Sequence, residues 1–478
     1  LTFGVQFMGF LAIPSIGLLY YFKTVKKITV KNFLIANIVA VVILMLIFKF
    51  SLTYVLKLFG WSEIFFVNSF GLPFNSGSLI MGLAFAGVFY LVLRYTRKKQ
   101  FRIANTITLC LLFLLLGFSS WFMLPIRANA QVTINENNPS DARSLLAYYN
   151  REQYPGADSP FYGAYYSDMF ASDYPEKDDK PKYERNEKLG IYEIANNYKK
   201  ALRGSNKKHI GVLPRMWSDA NAENYMEYYG TLQFKIKPKY RSNRDLNKAV
   251  QEFRQKQAKG ELSTSQYIKF LKDMNDYVEV TPPTLWENVK YMVHYQFGYM
   301  YWRYFMWNFV GRQNDEQGHF DGNGEWVSGI NVIDSVRIGS QENLPSDALN
   351  NKGRNTYFFL PFVLGLIGIL FQCKRNWKQF WVLLVFFLFT GVAIQFYTNP
   401  VIFQPRERDY SLVGSFYIFA IWIGLGVYGL YEEIRKIADE IYEFNKQSKN
   451  FSSLGMGNLF AGCSWVNGLS KLGRPRPL

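Results

Sequence analysis

The chain has 478 residues, with 54 Lys and Arg against 37 Asp and Glu for a net charge of +17; 49% of its residues are apolar and 18% aromatic. That composition excludes a disordered tail, a collagen-like repeat and a disulfide scaffold. The charge is unevenly placed: the segment Arg127 to Arg354 holds 31 basic and 29 acidic groups, so the other 250 residues hold 23 against 8. A positive excess among the most apolar segments argues against a nucleic-acid groove and is the pattern of a membrane protein with basic loops on one side.

In chain order, seven segments reach or approach the roughly 20 apolar residues of a transmembrane helix. They are Leu1 to Phe22, Phe33 to Phe50, Leu79 to Leu93, Ile103 to Ile126, Tyr357 to Gln372, Gln379 to Phe396 and Leu412 to Tyr431, the third and fifth being short. Leu1 lies in an apolar run without a basic leader or cleavage signal, so the chain is expected to be the middle or C-terminal part of a longer protein. Alternating loops carry Lys23, Lys26, Lys27, Lys31; Arg94, Arg97, Lys98, Lys99, Arg102; and Lys374, Arg375, Lys378, which is 12 basic residues and no acidic one. The intervening loops, Ser51 to Ser78 and Tyr397 to Ser411, carry three: Lys57, Arg406 and Arg408. The first set is therefore placed in the cytoplasm, and residues 127–355 outside it. The expected organisation is four spans in 1–126, an extracytoplasmic domain, three spans in 356–431 and a cytoplasmic tail, 432–478. Cys110 and Cys373 lie in or beside spans and Cys463 in the Gly/Ser-rich ending, so the extracytoplasmic domain holds together without disulfides.

That domain reads as mostly helical. A short helix is predicted within Asn135 to Asn150, with Ser140 as a possible cap, followed by a Pro-, Gly-, Asp- and Tyr-rich loop from Tyr154 to Tyr183. Helical patterns return at Glu187 to Leu202, Asp219 to Tyr229, Asn243 to Lys259 and Ser263 to Tyr277. The most informative helix spans Thr284 to Val310, where Thr284 and Glu287 form a capping-box pattern and 11 of the 28 residues to Gly311 are aromatic. Tyr and Trp favour the headgroup level, so the helix is expected at the outer membrane surface, with a buried aromatic core helix as the alternative.

Three clusters carry candidate chemistry. In the loop Gln404 to Tyr410, Arg406 and Arg408 stand where positive charge is otherwise scarce. Arg offers bidentate donors to a lipid phosphate or pyrophosphate, with Glu407, Asp409 and Tyr410 orienting; the alternative is a salt-bridge network closing a helical hairpin. At the end of the aromatic helix, Trp302, Arg303, Trp307, Asn308, Arg312, Gln313, Asn314 and Asp315 combine rings, amides and a carboxylate, which suits a sugar or a polyprenyl headgroup. Helix termination at Gly311 explains part of that pattern equally well. After the fourth span, Arg127 reads as a headgroup anchor, and Glu136 is an acid close to the membrane that could serve as a base. His209, His294 and His319 are too dispersed for a metal motif, so no metal-ligating residues are assigned and a need for a divalent ion stays open; Gly322 to Gly324 reads as a turn, and no nucleic acid is expected as partner.

The strings Tyr301 to Asp315, Gln404 to Tyr410 and Ile134 to Pro139 resemble a large family of Bacteroidota membrane proteins long known only as a domain of unknown function. That family is similar to the eukaryotic transmembrane-protein O-mannosyltransferases that modify immunoglobulin-like (IPT) domains. The resemblance covers nearly all of the chain to about Lys446. It implies a polytopic, mainly α, GT-C-like glycosyltransferase of the bacterial inner membrane, its large domain in the periplasm. It further implies a polyprenyl-phosphate sugar as donor, mannose favoured, no other cofactor, and an acceptor that is Ser or Thr of protein. In such enzymes an acid of the first outer loop, expected before Leu1, is the usual base; here Glu136 and Asp315 are the candidates. The rival reading is a non-catalytic scaffold or lipid-handling protein of cell-envelope export. A transporter is disfavoured because, within the seven spans, only Lys49 is ionisable.

Overall fold

In lipid a backbone must satisfy its own polar groups, so an apolar run that is long enough folds as a helix. The computed structural model describes residues 7–150, 152, 163–164, 176–203, 210–211, 222–281, 283–400, 402–403 and 409–452. The tail beyond Ser452, most of the Tyr154 to Tyr183 loop and Gln404 to Arg408 lie outside the described residues. The structure is 68% helical with few strands. Among the described residues, five helices are long and apolar enough to cross a membrane: Val30–Ile47, Ser76–Lys98, Arg102–Asn129, Trp377–Thr398 and Tyr410–Phe444. The first and fifth apolar segments form shorter helices of 12 and 16 residues, Ile13–Thr24 and Leu360–Arg375.

The first of these, α1 (Ile13–Thr24), leads into α2 (Val30–Phe70), which Thr29 and Asn32 cap reciprocally. At 41 residues and about 1.5 Å per residue, α2 is roughly twice the thickness of a hydrocarbon core. Its second half occupies most of the expected Ser51 to Ser78 loop. Buried Leu56, Gly60, Glu63 and Val67 recur at helical spacing there, a stripe that packing, not hydropathy, selects. After a turn at Gly71, α3 (Ser76–Lys98) returns antiparallel, with Ser62 Oγ donating to Gly77 O at 2.8 Å. A Cβ on Gly77 would meet the backbone of Ser62 and Glu63, so only glycine permits this approach. α4 (Arg102–Gly117), a 3-10 turn and α5 (Met123–Asn129) complete the first group.

The inserted domain begins with α6 (Ala142–Tyr149), capped by Asp141 rather than Ser140, whose Leu145 and Leu146 pack with Phe10, Leu56 and Phe118. The expected helix at Glu187 to Leu202 is instead largely a hairpin, β1 (Tyr183–Asn186) against β2 (Ile191–Ile194). Local turn chemistry decides it: Asn186 Oδ1 accepts from the N–H groups of Lys188 and Leu189 at 3.0 and 3.2 Å, and Gly190 takes φ +68°. The helical patterns further on do form helices: α7 (Ala222–Tyr229), α8 (Arg244–Ala258) and α9 (Thr264–Asp273). They enclose a core of Tyr225, Phe234, Phe253, Tyr267 and Leu271 with the two-stranded sheet β3 (Phe234–Ile236) and β4 (Val278–Val280).

The aromatic helix runs without a break from α10 (Leu285–Tyr291) through a π-helical stretch, Met292–Arg303, to α11 (Tyr304–Phe309), and starts on the expected Thr284–Glu287 capping box. Its tyrosines are buried, in accord with the core alternative. Tyr291, Tyr295 and Tyr299 belong to the domain core, whereas Tyr301, Tyr304 and Phe305 join Leu412, Phe419 and Trp422 in a second core among the long apolar helices. Of its aromatics, Trp286 and Trp302 are exposed. The helix is thus a spine shared by two cores.

Beyond it, β5 (Gly311–Arg312) pairs with β6 (Asn355–Thr356), and α12 (Asn331–Ile338) lies between them in sequence. The chain then enters α13 (Leu360–Arg375), α14 (Trp377–Thr390), α15 (Val392–Thr398) and the 44-residue α16 (Asp409–Ser452). α13 packs closely along α16: Gly368 faces the backbone of Trp422, and Gly426 that of Leu364. Trp377 meets Phe22 and Phe33, and Trp381 Nε1 donates to Asn37 Oδ1 at 3.0 Å. The basic turns after α1 and α13 therefore share one end of the bundle, opposite the inserted domain.

Candidate functional site

Gly311 ends the aromatic spine at φ +146°, where a Cβ would collide with the carbonyls of Val327 and Asn355. This closeness carries the next residue into a small sheet. Arg312 donates its N–H to Asn355 Oδ1 at 3.1 Å and pairs across an antiparallel bridge with Trp326. Directly opposed residues project from the same face of a sheet. On that face the Arg312 guanidinium lies 3.9 Å over the Trp307 ring, and the Arg337 guanidinium of α12 lies 3.9 Å over the Trp326 ring. Trp307 is held by Nε1 donating to Asn314 O at 3.1 Å, and Arg337 by Glu325 at 2.6 Å.

Two features give this cluster chemical potential. Arg312 Nε and Arg337 Nε and Nη2 are buried with no hydrogen-bond partner among the described residues. A buried donor left unmatched costs on the order of 1–3 kcal/mol, so the cluster favours an oxyanion. Moreover, Trp326 contacts Phe359 edge-on, one residue before α13 begins, which puts the cluster at the mouth of the helical bundle.

The other sequence-selected residues fall into distinct roles. Arg303 is buried, donating to Tyr299 O at 3.1 Å and to Gly324 O, and so fastens the following loop to the spine. Gln313 exchanges backbone and side-chain bonds with Glu325, and Asn314 accepts from Gly324 N at 2.9 Å and donates to Asn323. Asn308 donates back to Tyr304 O within its own helix. Trp302 is exposed, stacked on Phe305. Asp315 is exposed and accepts from Asn351 Nδ2 at 3.4 Å, three residues from Arg312. Glu136 is exposed in the turn after α5. Arg406, Glu407 and Arg408 lie outside the described residues; Asp409 starts α16, and Tyr410 is exposed beside it.

Sequence reasoning missed Trp326, Arg337 and Glu325, which only sheet register brings to Arg312. It also missed a buried node where α2 meets the domain. Glu63 accepts from the N–H of Asn75, and from Ser78 N and Oγ at 2.8 and 2.9 Å; the Tyr192 hydroxyl lies 3.5 Å from Glu63 and 3.3 Å from Asp141. Asn68 holds both backbone groups of Tyr192, at 2.8 and 2.9 Å. Burial, and then the neighbouring Asp141 and Glu63 charges, push the Tyr192 pKa upward, so the hydroxyl stays a donor. This node fastens the hairpin to the apolar helix α2. Among the described residues, no group of three His, Cys, Asp or Glu is placed to hold a metal.

Residues 156–293 match a protein family of unknown function (DUF8416). No curated protein and no solved structure matches the chain.

Proposed function

We propose that this chain acts as a GT-C type glycosyltransferase that moves a sugar, mannose favoured, from a polyprenyl-phosphate donor to Ser or Thr of a protein outside the cytoplasm. The observation that carries the reading is the pair of guanidinium–indole stacks with unmatched buried donors at the bundle mouth. A lipid phosphate there meets Arg312 and Arg337. Exposed Trp302 and the Trp307 edge offer apolar faces to a sugar. The acceptor hydroxyl attacks the anomeric carbon, the bond from that carbon to the phosphate oxygen breaks, and the phosphate leaves with the electron pair. Arginine stabilises the charge that develops, and Asp315 or Glu136 takes the hydroxyl proton. The resemblance of the three sequence strings supports the same reading, and so does a bundle with its basic turns at one end and its large domain at the other.

One observation favours a non-catalytic scaffold or lipid-handling role: Arg303, Asn308, Gln313 and Asn314 spend polar groups on internal bonds. Transfer distinguishes the two. The protein, given radiolabelled polyprenyl-phosphate-mannose and a periplasmic protein extract, is expected to label protein, and an Arg312→Ala form to label little. Equal labelling by a well-folded Arg312→Ala protein would remove the cluster from the reaction. Absence of label with mannose and with other polyprenyl-phosphate sugars would favour the scaffold.

A further inference from the structure

At the end of the bundle opposite the inserted domain, a cavity of about 450 Å³ opens where α13, α14 and α16 meet. Its walls include Phe371, Gln372 and Arg375 of α13, Asn376 and Gln379 at the start of α14, and Tyr428 of α16. The hydrogen bonds fix which way its amides face. Trp422 Nε1 can only donate, and it donates to Gln372 Oε1 at 2.8 Å; the Gln379 backbone N–H donates to Asn376 Oδ1 at 3.2 Å. Each carbonyl oxygen thus already accepts a bond, and each amide keeps its NH2 group to offer a ligand.

Arg375 adds to that donor set. Glu432 holds it through two contacts of 2.6 and 2.7 Å, both on Nη1. A guanidinium has five N–H donors in a fixed fork, so one carboxylate on one nitrogen orients it without exhausting it. Lys374 and Lys378 adjoin lining residues in sequence, and the Trp377 contacts to Phe22 and Phe33 bring the basic turn after α1 to the same end. The aromatic walls, Phe371 and Tyr428, suit the apolar part of an amphiphile. A cavity lined by donors and Arg, walled by rings and set at the basic end of membrane helices matches a phosphate group on a lipid.

We propose that this cavity binds a phosphate-bearing headgroup, with Arg375 and the side-chain amides of Gln372, Asn376 and Gln379 as its donors. The site lies at the far end of the bundle from the guanidinium–indole cluster and does not rest on the transferase reading. The chemistry it recognises, a phosphate oxygen, occurs in a lipid and in free phosphate, and the test separates them. Detergent-purified full-length protein is examined by native mass spectrometry with phosphatidylglycerol, with diacylglycerol of the same chains, and with inorganic phosphate as competitor. One phosphatidylglycerol is expected to stay bound while diacylglycerol does not. Arg375→Ala and the milder Gln379→Ala are expected to weaken retention about tenfold, and Arg97→Ala, in a different basic turn, to leave it unchanged. Displacement by millimolar inorganic phosphate would assign the site to the free anion. Equal retention by both cavity variants, or equal retention of diacylglycerol, would overturn the proposal. Gln379 is exposed, so its variant tests the site even if Arg375→Ala misfolds.

Discussion

The hydroxyl of Tyr295 accepts a hydrogen bond from the backbone N–H of Phe403 at 2.5 Å. It is one of a series. Tyr291 OH donates to Pro400 O at 3.2 Å, Ile402 N–H donates to Tyr225 OH at 3.3 Å, and Gln296 Nε2 donates to Asn399 Oδ1 at 2.7 Å. The strand of chain that follows α15 is thus satisfied by side chains of the spine and of α7, not by secondary structure. Buried backbone groups need partners, and here tyrosines supply them.

Tyr295→Phe tests that arrangement with almost no change in shape. Removing the hydroxyl leaves the Phe403 N–H without its acceptor, at a cost of about 1–3 kcal/mol. The variant is expected to melt at lower temperature and to exchange the Phe403 amide hydrogen faster, with the exchange of α8 unchanged. An unaltered Phe403 exchange rate would show that the bond does not hold the loop.

The same burial makes stability sensitive to alkali. Desolvation pushes the pKa values of Tyr291, Tyr295 and Tyr192 above that of an ordinary tyrosine. In the unfolded chain these groups lose their protons near pH 10, whereas in the folded protein they hold them. Their contribution is therefore complete below about pH 10 and is lost as pH rises from there through the raised folded values. Melting curves from pH 8 to pH 11.5 are expected to be flat at first and then to fall. Tyr192→Phe is expected to make the fall shallower, and an identical slope would assign the loss to other groups.

How far the chain was readable depended on the distance over which each feature is written. Apolar runs such as Leu79 to Leu93 are continuous in sequence, and the Thr284–Glu287 cap is four residues long, so both could be read locally. The second half of α2 could not, because Lys57 and Glu63 lower its hydropathy while Leu56, Gly60 and Val67 still mark a packed face. Asn186 and Gly190 turned an apparent helix into a hairpin through bonds that periodicity does not register. The aromatic spine was recognisable as a helix, but its burial depends on Ile402 and Trp422, about a hundred residues away. Likewise, Arg337 reaches the Arg312 cluster only through the bridge that sets Trp326 opposite Arg312.

Helix packing supplies a prediction independent of function. A side chain on Gly368 would run into the Trp422 carbonyl, a backbone atom that cannot rotate aside. Gly368→Val is expected to force α13 and α16 apart and to destabilise the detergent-solubilised protein by about 1–3 kcal/mol or more. At Gly424, where an added Cβ meets nothing within 4 Å, substitution by Ala is expected to leave the melting temperature unchanged or slightly raised. Equal effects at the two positions would mean that the close crossing does not contribute to stability.

Arg312→Lys separates charge from geometry at the candidate site. Lysine keeps the positive charge but cannot lie flat on Trp307 or offer a planar fork to a phosphate. The local fold should survive, since Gly311, Gln313 and the Asn355 contact to the Arg312 backbone are untouched. Binding of a short-chain polyprenyl phosphate, followed through the fluorescence of Trp307 and Trp326, is expected to weaken about tenfold in Arg312→Lys and further in an Arg312→Lys, Arg337→Lys pair. Trp307→Phe keeps a ring beneath the guanidinium and is expected to bind nearly as the parent does, measured by competition because one reporter is gone. If all three bind alike, the lipid phosphate is held elsewhere, and Arg406 with Arg408 becomes the pair to substitute next.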